Sequence, residues 1–300
     1  MKNTRALALR RADTAGWRTL ADYIALTKPR LNVLVVATSA AGYYLGATGP
    51  VNLAVMAAAV AGTAFVAGGA AALNQLYERE TDALMRRTRM RPLPDGRISP
   101  PEARIFGVAL STAGLVLLAA LASWLSAALA LATLTIYVAV YTPLKRRSKV
   151  ATLVGAVPGA LPPLIGWAAS RGEISTGGLA LFLIVFLWQI PHFMAIAWLY
   201  RDDYRLAGFP MLPVIDPDGR RTGREAVVYA LALLPASLVP TFAGVSGATY
   251  AVIAAVLGAG LIVAAVKFAV ARNDAAARRL FFGSLVYLPL IWIAMIADKL

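Results

Sequence analysis

Long runs of apolar residues, separated by short charged segments, recur from residue 31 to the end of the chain. Runs of roughly 17 to 25 apolar residues are long enough for a helix to cross the hydrocarbon core of a membrane. The pattern predicts an all-α integral membrane protein, a bundle of nine transmembrane helices that forms a single domain over residues 1–300. The nine predicted helices cover residues 31–47, 51–73, 103–121, 127–144, 152–169, 178–199, 226–244, 248–270 and 280–296.

The distribution of basic residues supports this topology. With nine helices, the segment before residue 31, which includes the N-terminal tail (1–24), and the loops after helices 2, 4, 6 and 8 with their adjoining helix ends lie on one side of the membrane. That side holds all of the 29 Lys and Arg residues except Arg171 and Lys299. Because basic loops stay in the cytoplasm, we expect the N-terminus to be cytoplasmic.

Composition excludes several classes of protein. The chain is 59% hydrophobic and 15% charged, with a mean hydropathy of +0.68, which is too apolar for a soluble domain. The net charge of +14 follows from the membrane topology, so we expect no nucleic-acid partner. Cysteine is absent, which excludes disulfides and a thiolate nucleophile.

The acidic residues concentrate in the two longest loops, after helices 2 and 6, which carry ten of the fifteen. In the first loop no Pro or Gly interrupts residues 74–82, so we expect the second helix to continue through them. Asn74, Glu78 and Asp82 then share one helix face, and their oxygens suit Mg²⁺ bound to a diphosphate. The alternative is a solvated helix end in which both acids pair with Arg79 and Arg86.

The second cluster contains Asp202 and Asp203 at the end of the sixth helix, on the same side of the membrane. Basic runs at 86–91 and 145–149 lie on that side too and could bind phosphate oxygens. Alternatively, these cations only orient the chain and contact anionic lipids. Acids contribute little to orientation, so paired acidic clusters favour a ligand site.

Two further features have both a functional and a structural interpretation. His192, the only histidine, lies near the cytoplasmic end of the sixth helix and could bind a metal or haem or act as a base, or simply form a hydrogen bond within the bundle. Glycines and prolines crowd residues 155–163, which predicts a kinked fifth helix that lines a chamber or packs tightly.

Together these motifs resemble the UbiA superfamily of intramembrane prenyltransferases, over nearly the whole chain. The resemblance rests on Thr27-Lys-Pro-Arg30, Asn74-x3-Glu78-x3-Asp82, and segments 87–94 and 141–146. Segments 159–167, 191–193 and 203–214 are similar to the branch that farnesylates haem in particular. Glu78 departs from the commoner pattern, where aspartate is usual, which puts the metal geometry in question.

The resemblance implies a nine-helix bundle around a central cavity that transfers farnesyl from farnesyl diphosphate to a vinyl group of haem b, giving haem O. It implies Mg²⁺ held by Asn74, Glu78, Asp82, Asp202 and Asp203. The implied substrate-binding residues are Lys28, Arg30, Arg89, Arg91, Lys145, Arg146, His192 and Tyr204, with His192 facing the haem. We expect a bacterial inner membrane, although a mitochondrial one is an alternative, and a haem A synthase as a possible downstream partner.

Three other functions fit the sequence less well. A related prenyltransferase could use a quinone precursor or a chlorophyll-type alcohol as acceptor. A transporter or channel could use paired acids and kinked helices, but its acids would be expected nearer mid-membrane. A non-catalytic assembly factor could retain the bundle without turnover.

Overall fold

A computed structural model describes residues 19–300, which form helices joined by short loops and include no β-strand in that range. Residues 1–18, most of the predicted tail, lie outside the described residues. Residues 19–26 are helical and precede the long helices. These are α1 (Pro29–Gly46), α2 (Leu53–Leu84), α3 (Pro100–Leu121), α4 (Trp124–Leu144), α5 (Ala151–Arg171), α6 (Thr176–Leu199), α7 (Arg220–Phe242), α8 (Ala248–Ala271) and α9 (Asp274–Ala297).

Within residues 19–300, eight helices, α2 to α9, are long and apolar enough to cross a membrane. They confirm the prediction of a helical, multi-pass membrane protein. The first predicted span corresponds to α1, which has 18 residues and includes the polar Arg30 and Asn32. This helix is not among the eight, so the count of nine spans stays a prediction.

Helix α2 is much longer than the membrane requires. It has 32 residues and ends at Leu84, so it is roughly 48 Å long against a hydrocarbon core of about 30 Å. The prediction that helix continues through residues 74–82 is confirmed. As a consequence, the last turns of α2 carry their polar side chains beyond the apolar part of the helix, into the end of the bundle.

The helices pack in two groups. Helices α1 to α5 contact one another, α6 to α9 do the same, and α5 and α6 join the groups. Two short helices, Arg201–Leu206 and Leu212–Ile215, follow α6. Each loop with an acidic cluster therefore follows a long helix of a different group.

The Gly- and Pro-rich part of α5 packs tightly against three neighbours. Helix continues through Pro158, Pro162 and Pro163. Gly155 faces the ring of Tyr141, and Gly159 faces the side chain of Gln189. The structure therefore supports the packing interpretation of segment 155–163, and the chamber stays a prediction.

The contact between α1 and α5 leaves no room for a side chain at two glycines. A Cβ atom at Gly42 would collide with the carbonyl oxygen of Pro163, and one at Gly166 with that of Ser39. Backbone atoms cannot rotate away as a flexible side chain can. Glycine at these positions therefore sets the spacing of the two helices.

We predict that Gly42→Ala destabilises the protein by about 1–3 kcal/mol, because the added methyl group forces α1 away from α5. The matched control is Gly260→Ala in α8, where an added Cβ has no atom within 4 Å. Unfolding in mixed micelles, followed by circular dichroism, measures both variants. Equal stability of the two variants would contradict the close approach.

Candidate active site

The C-terminal turns of α2 bury three polar side chains. Asn74 and Glu78 are almost fully buried, and Asp82 is 1% exposed. Glu80, on the opposite face of the same turns, has 78% of its side chain exposed. The predicted polar stripe therefore faces inward, as a ligand site requires, and is not a solvated helix end.

Each residue of the stripe contacts a cation from another part of the chain. Lys28 Nζ donates to Asn74 Oδ1 at 2.9 Å. Lys145 Nζ lies 3.1 Å from both carboxylate oxygens of Glu78, and an Arg91 guanidinium nitrogen lies 2.6 Å from Asp82 Oδ2. We call these six residues the ion-pair layer: Asn74, Glu78, Asp82, Lys28, Arg91 and Lys145.

The local pairs that formed the alternative interpretation are not observed. Arg79 pairs with the exposed Glu80, at 3.2 Å, and not with Glu78. Arg86 is exposed and forms no ion pair among residues 19–300. The cations of the layer come from before α1, from the loop after α2 and from the end of α4, so only the folded bundle assembles the site.

The two lysines of the layer differ electrostatically. Burial is the largest single effect on Lys145 and lowers its pKa. The Glu78 carboxylate, together with the nearby Tyr204 and Tyr137, raises the pKa by more in total and holds it above its usual value. Burial and the positive charge of Arg91 lower the pKa of Lys28 to about 7. Lys28 also adopts a left-handed backbone conformation, with φ of 50°, which costs energy in a residue with a side chain.

One oxygen of the layer has no partner. Asp82 Oδ1 is buried and accepts no hydrogen bond within residues 19–300. A buried acceptor left unsatisfied typically costs 1–3 kcal/mol, and more when charged. Such an atom is expected where a cation completes the site, and its carboxylate chemistry fits Mg²⁺.

Sequence reasoning missed the residues that orient the layer. Thr142 accepts a hydrogen bond from Asn74 Nδ2 at 3.1 Å and donates to the carbonyl oxygen of Tyr137 at 2.7 Å. It follows a π-helical turn, Ile136–Tyr141. Pro143 lacks an N–H and disrupts the α-helical ladder there, so a proline at the end of an apolar run was the available signal.

A second missed residue anchors the segment that carries Lys28. Gln75 Nε2 donates to the carbonyl oxygen of Leu26 at 2.7 Å. This bond fixes the helical residues 19–26 against α2, immediately before Lys28. No motif in the sequence pairs Gln75 with that segment.

The second acidic cluster lies at the same end of the bundle. Tyr204 and Phe209 are buried together with Met85, the residue that follows α2. Lys145 Nζ also lies 4.6 Å from the centre of the Phe209 ring. Lys145 therefore links the first acidic motif to the segment after α6.

The acids of that cluster are not part of the ion-pair layer. Asp202 has 76% of its side chain exposed and pairs with Arg205 at 2.8 Å. Asp203 is half-buried. Among residues 19–300 no three acidic or histidine side chains are gathered closely enough to hold a metal ion, so the five-residue metal set stays a prediction.

The remaining predicted cations lie outside the layer. Arg30, Arg89 and Arg146 are exposed at the same end of the molecule. Arg87, which was not among the predicted site residues, places its guanidinium 4.9 Å from the centre of the Tyr200 ring. This contact is another link between the loop after α2 and the end of α6.

His192 is on α6, and its side chain packs against α9. Its ring stacks on Trp188 and Phe281, with centroids 4.9 and 5.1 Å away. Its Nδ1 lies 2.8 Å from Ser284 Oγ, which donates its only proton to the carbonyl oxygen of Phe281 at 2.7 Å. Both contacts fit the tautomer with the hydrogen on Nδ1, in which Nε2 keeps a lone pair. A haem contact through Nε2 stays a prediction.

The chain is similar to known proteins along nearly its full length. Residues 35–286 match the model of the UbiA prenyltransferase family. A protoheme IX farnesyltransferase from Solibacter usitatus is 46% identical over 287 residues, which cover 93% of this chain and 98% of the relative. One from Opitutus terrae is 46% identical over 280 residues, 93% of this chain and 95% of the relative.

Solved structures share the fold at low sequence identity. A digeranylgeranylglyceryl phosphate synthase superposes with a TM-score of 0.80 at 17% identity, covering 94% of this chain and 98% of that one. A UbiA homologue from Archaeoglobus fulgidus, bound to GPP and Mg²⁺, superposes with a TM-score of 0.65 at 19% identity, covering 91% and 99%. These likenesses confirm the predicted UbiA-like helical fold.

We predict that Lys145→Met destabilises the protein by about 3–5 kcal/mol, because it leaves the buried Glu78 carboxylate unpaired. The double variant Glu78→Gln/Lys145→Met should recover much of that loss. As a control, Arg205→Met breaks the exposed pair with Asp202 and should cost less than about 1 kcal/mol. The free energy of unfolding in mixed micelles is measured for the wild type, Glu78→Gln, Lys145→Met and the double variant. If the losses in the two single variants simply add up in the double variant, the buried pair is contradicted.

Proposed function

The chain belongs to the UbiA prenyltransferase family, and on that premise we propose that it transfers the farnesyl group of farnesyl diphosphate to a vinyl group of haem b. Water adds in the same overall reaction, and the products are haem O and diphosphate. The relatives from Solibacter usitatus and Opitutus terrae, named protoheme IX farnesyltransferase, support this choice of donor and acceptor.

One observation supports the diphosphate site above all others. The ion-pair layer combines a buried carboxylate oxygen without a partner, on Asp82, with three cations held by neighbouring side chains. Acids alone suit a metal, and cations alone suit an anion. Both together suit a metal-bound diphosphate, which presents a cation and free oxygens at once.

Mg²⁺ is the metal that we propose for this site. The Archaeoglobus fulgidus homologue holds Mg²⁺ together with GPP, and the oxygen ligands on α2 are of the type that Mg²⁺ prefers. The metal would neutralise the negative charge that develops on the departing diphosphate. The residues that would hold it are Asn74, Glu78, Asp82, Asp202 and Asp203.

The cations of the layer are the proposed diphosphate ligands. Lys28, Arg91 and Lys145 exchange their protein partners for diphosphate oxygens when substrate binds. Lys145 is paired with Glu78 and Arg91 with Asp82, so neither of these charges is buried alone in the free protein. Lys28 donates only to the neutral side chain of Asn74. Arg30, Arg89 and Arg146 are exposed nearby and complete the contacts from the aqueous side.

The reaction breaks the bond between the allylic carbon and the diphosphate oxygen, and both electrons stay on diphosphate. The vinyl group of haem b supplies the electron pair for the new carbon–carbon bond. Water then adds to the cation left beside the porphyrin ring and loses a proton to diphosphate. The cations of the layer lower the barrier because they stabilise the leaving oxygens, while the apolar bundle limits early capture by water.

The acceptor side of the proposal rests on His192 and Tyr204. The contact with the Ser284 hydroxyl favours the His192 tautomer in which Nε2 has a lone pair, as a haem iron ligand requires. Tyr204 is buried against Phe209, next to Lys145, and would contact the substrate between the two acidic motifs.

We place the enzyme in a bacterial inner membrane with the ion-pair layer on the cytoplasmic side. The concentration of Lys and Arg on that side supports the orientation. The product, haem O, is lipid-soluble, and a haem A synthase in the same membrane is a proposed downstream partner.

We predict that the purified protein, incubated with haem b, farnesyl diphosphate and Mg²⁺, forms haem O detectable by mass spectrometry. Glu78→Gln and Asp82→Asn should each lower the rate by about 100-fold or more, because each removes a charge that holds the leaving group's metal. Glu80→Gln is the matched control, since Glu80 lies on the same turns of α2 but is exposed.

Undiminished haem O formation by Asp82→Asn would contradict the catalytic role of the layer and favour a non-catalytic protein. A parallel incubation replaces haem b with an aromatic quinone precursor. Prenylation of that acceptor with no haem O formed would assign a different acceptor within the same family.

A further inference from the structure

A cavity of about 400 Å³ lies at the end of the bundle opposite the ion-pair layer. The ends of α1 and α5, the start of α6, the loop after α7 and the chain end line it. Gly46 lies eighteen residues after Lys28 along α1, so the two ends are roughly 27 Å apart. A diphosphate held at the layer cannot reach this cavity.

The cavity contains Arg171 and Lys299, the only two basic residues outside the basic side of the predicted topology. Lys299 Nζ donates to the carbonyl oxygens of Tyr44 at 2.6 Å and Ala47 at 2.8 Å. Arg171 Nε donates to that of Gly46 at 3.0 Å. Both cations therefore meet at the C-terminus of α1.

Neither charge is well neutralised by the protein. Arg171 has one loose ion pair, 3.8 Å from the exposed Glu173. Lys299 has no ion pair among residues 19–300, and the neighbouring Asp298 accepts a hydrogen bond from the Tyr250 amide at 2.7 Å. Burial and the charge of Arg171 both lower the pKa of Lys299, as expected for two cations that share one cavity.

Capping of α1 is the structural alternative, since basic side chains stabilise helix C-termini. Capping does not explain why further anion-binding groups line the same cavity. Ser175 precedes α6 without capping it, because its hydroxyl accepts from Trp167 Nε1 at 3.1 Å. The first amides of α6, at Thr176 and Gly177, therefore have no side-chain cap, and they favour an anion.

The residues that line the cavity indicate which class of molecule would bring an anionic group to it. Leu300 is 75% exposed and supplies apolar surface beside the two cations, while Leu45, Trp167 and Val245 lie almost fully buried behind them. The charged groups also lie over aromatic rings. The guanidinium carbon of Arg171 is 5.2 Å from the centre of the Trp167 ring, and Lys299 Nζ is 4.5 Å from the centre of the Tyr44 ring. A ligand that matches both surfaces has an oxyanion joined to an apolar body, as a phospholipid has.

We infer that this cavity binds the phosphate group of an anionic membrane lipid through Arg171 and Lys299. The site lies at the opposite end from the reaction and is separate from the diphosphate site. A lipid bound there would join the ends of α1, α5 and α6 and stabilise the bundle by mass action.

Native mass spectrometry of delipidated protein, titrated with phosphatidylglycerol, tests the inference. The double variant Arg171→Gln/Lys299→Gln keeps N–H donors for the α1 carbonyls but removes both charges. We expect it to bind one fewer tight lipid, with at least about a tenfold loss of affinity at that site. The matched control, Arg220→Gln/Arg221→Gln, removes two exposed cations from the other end and should keep the site.

Lys299→Arg retains the charge and should bind as the wild type does, which separates lost binding from poor folding. Diacylglycerol with the same chains lacks phosphate and should bind at least about tenfold more weakly. The inference is overturned if the double Gln variant binds phosphatidylglycerol like the wild type, or if diacylglycerol binds equally well. Occupancy by inorganic phosphate without phosphatidylglycerol binding would also overturn it, by assigning a soluble anion.

Discussion

The ion pair between Lys145 and Glu78 is the contact on which the site depends. Two opposite charges buried in an apolar bundle are tolerated only when each neutralises the other. Glu78 is carried by α2 and Lys145 follows α4, so the pair requires those helices to end at the same level. Phe209, stacked on Lys145, adds the segment after α6 to the same contact. One lysine thereby joins both groups of helices at the end where we propose that substrate binds.

The backbone provides this arrangement through departures from regular structure. The π-helical turn before Pro143 orients Thr142 toward Asn74, and the left-handed conformation of Lys28 turns its side chain to the same residue. The hydrogen bond from Gln75 to the Leu26 carbonyl oxygen holds the segment before α1 against α2. Strained or irregular backbone is commonly found at functional sites, where surrounding contacts maintain it.

Much of the fold followed from local patterns. Apolar runs located the helices, and the absence of Pro and Gly from residues 74–82 predicted the extension of α2. The partners of the polar stripe were harder to predict from the sequence, because Lys28 and Asn74 are 46 residues apart and Lys145 and Glu78 are 67 apart. Such pairs are set by tertiary packing. The motifs named Lys28, Arg91 and Lys145 only as general diphosphate contacts. Pro143 was a local signal near Thr142, but no local pattern pointed to Gln75.

We propose that the ion-pair layer binds a metal and a diphosphate as one unit. Calorimetry with a non-reactive farnesyl diphosphate analogue, with and without Mg²⁺, measures that coupling directly. We expect Mg²⁺ to tighten binding by at least about tenfold in the wild type, and Asp82→Asn to lose most of that gain. Equal affinity with and without Mg²⁺ in the wild type, or an unchanged gain in Asp82→Asn, would contradict the account.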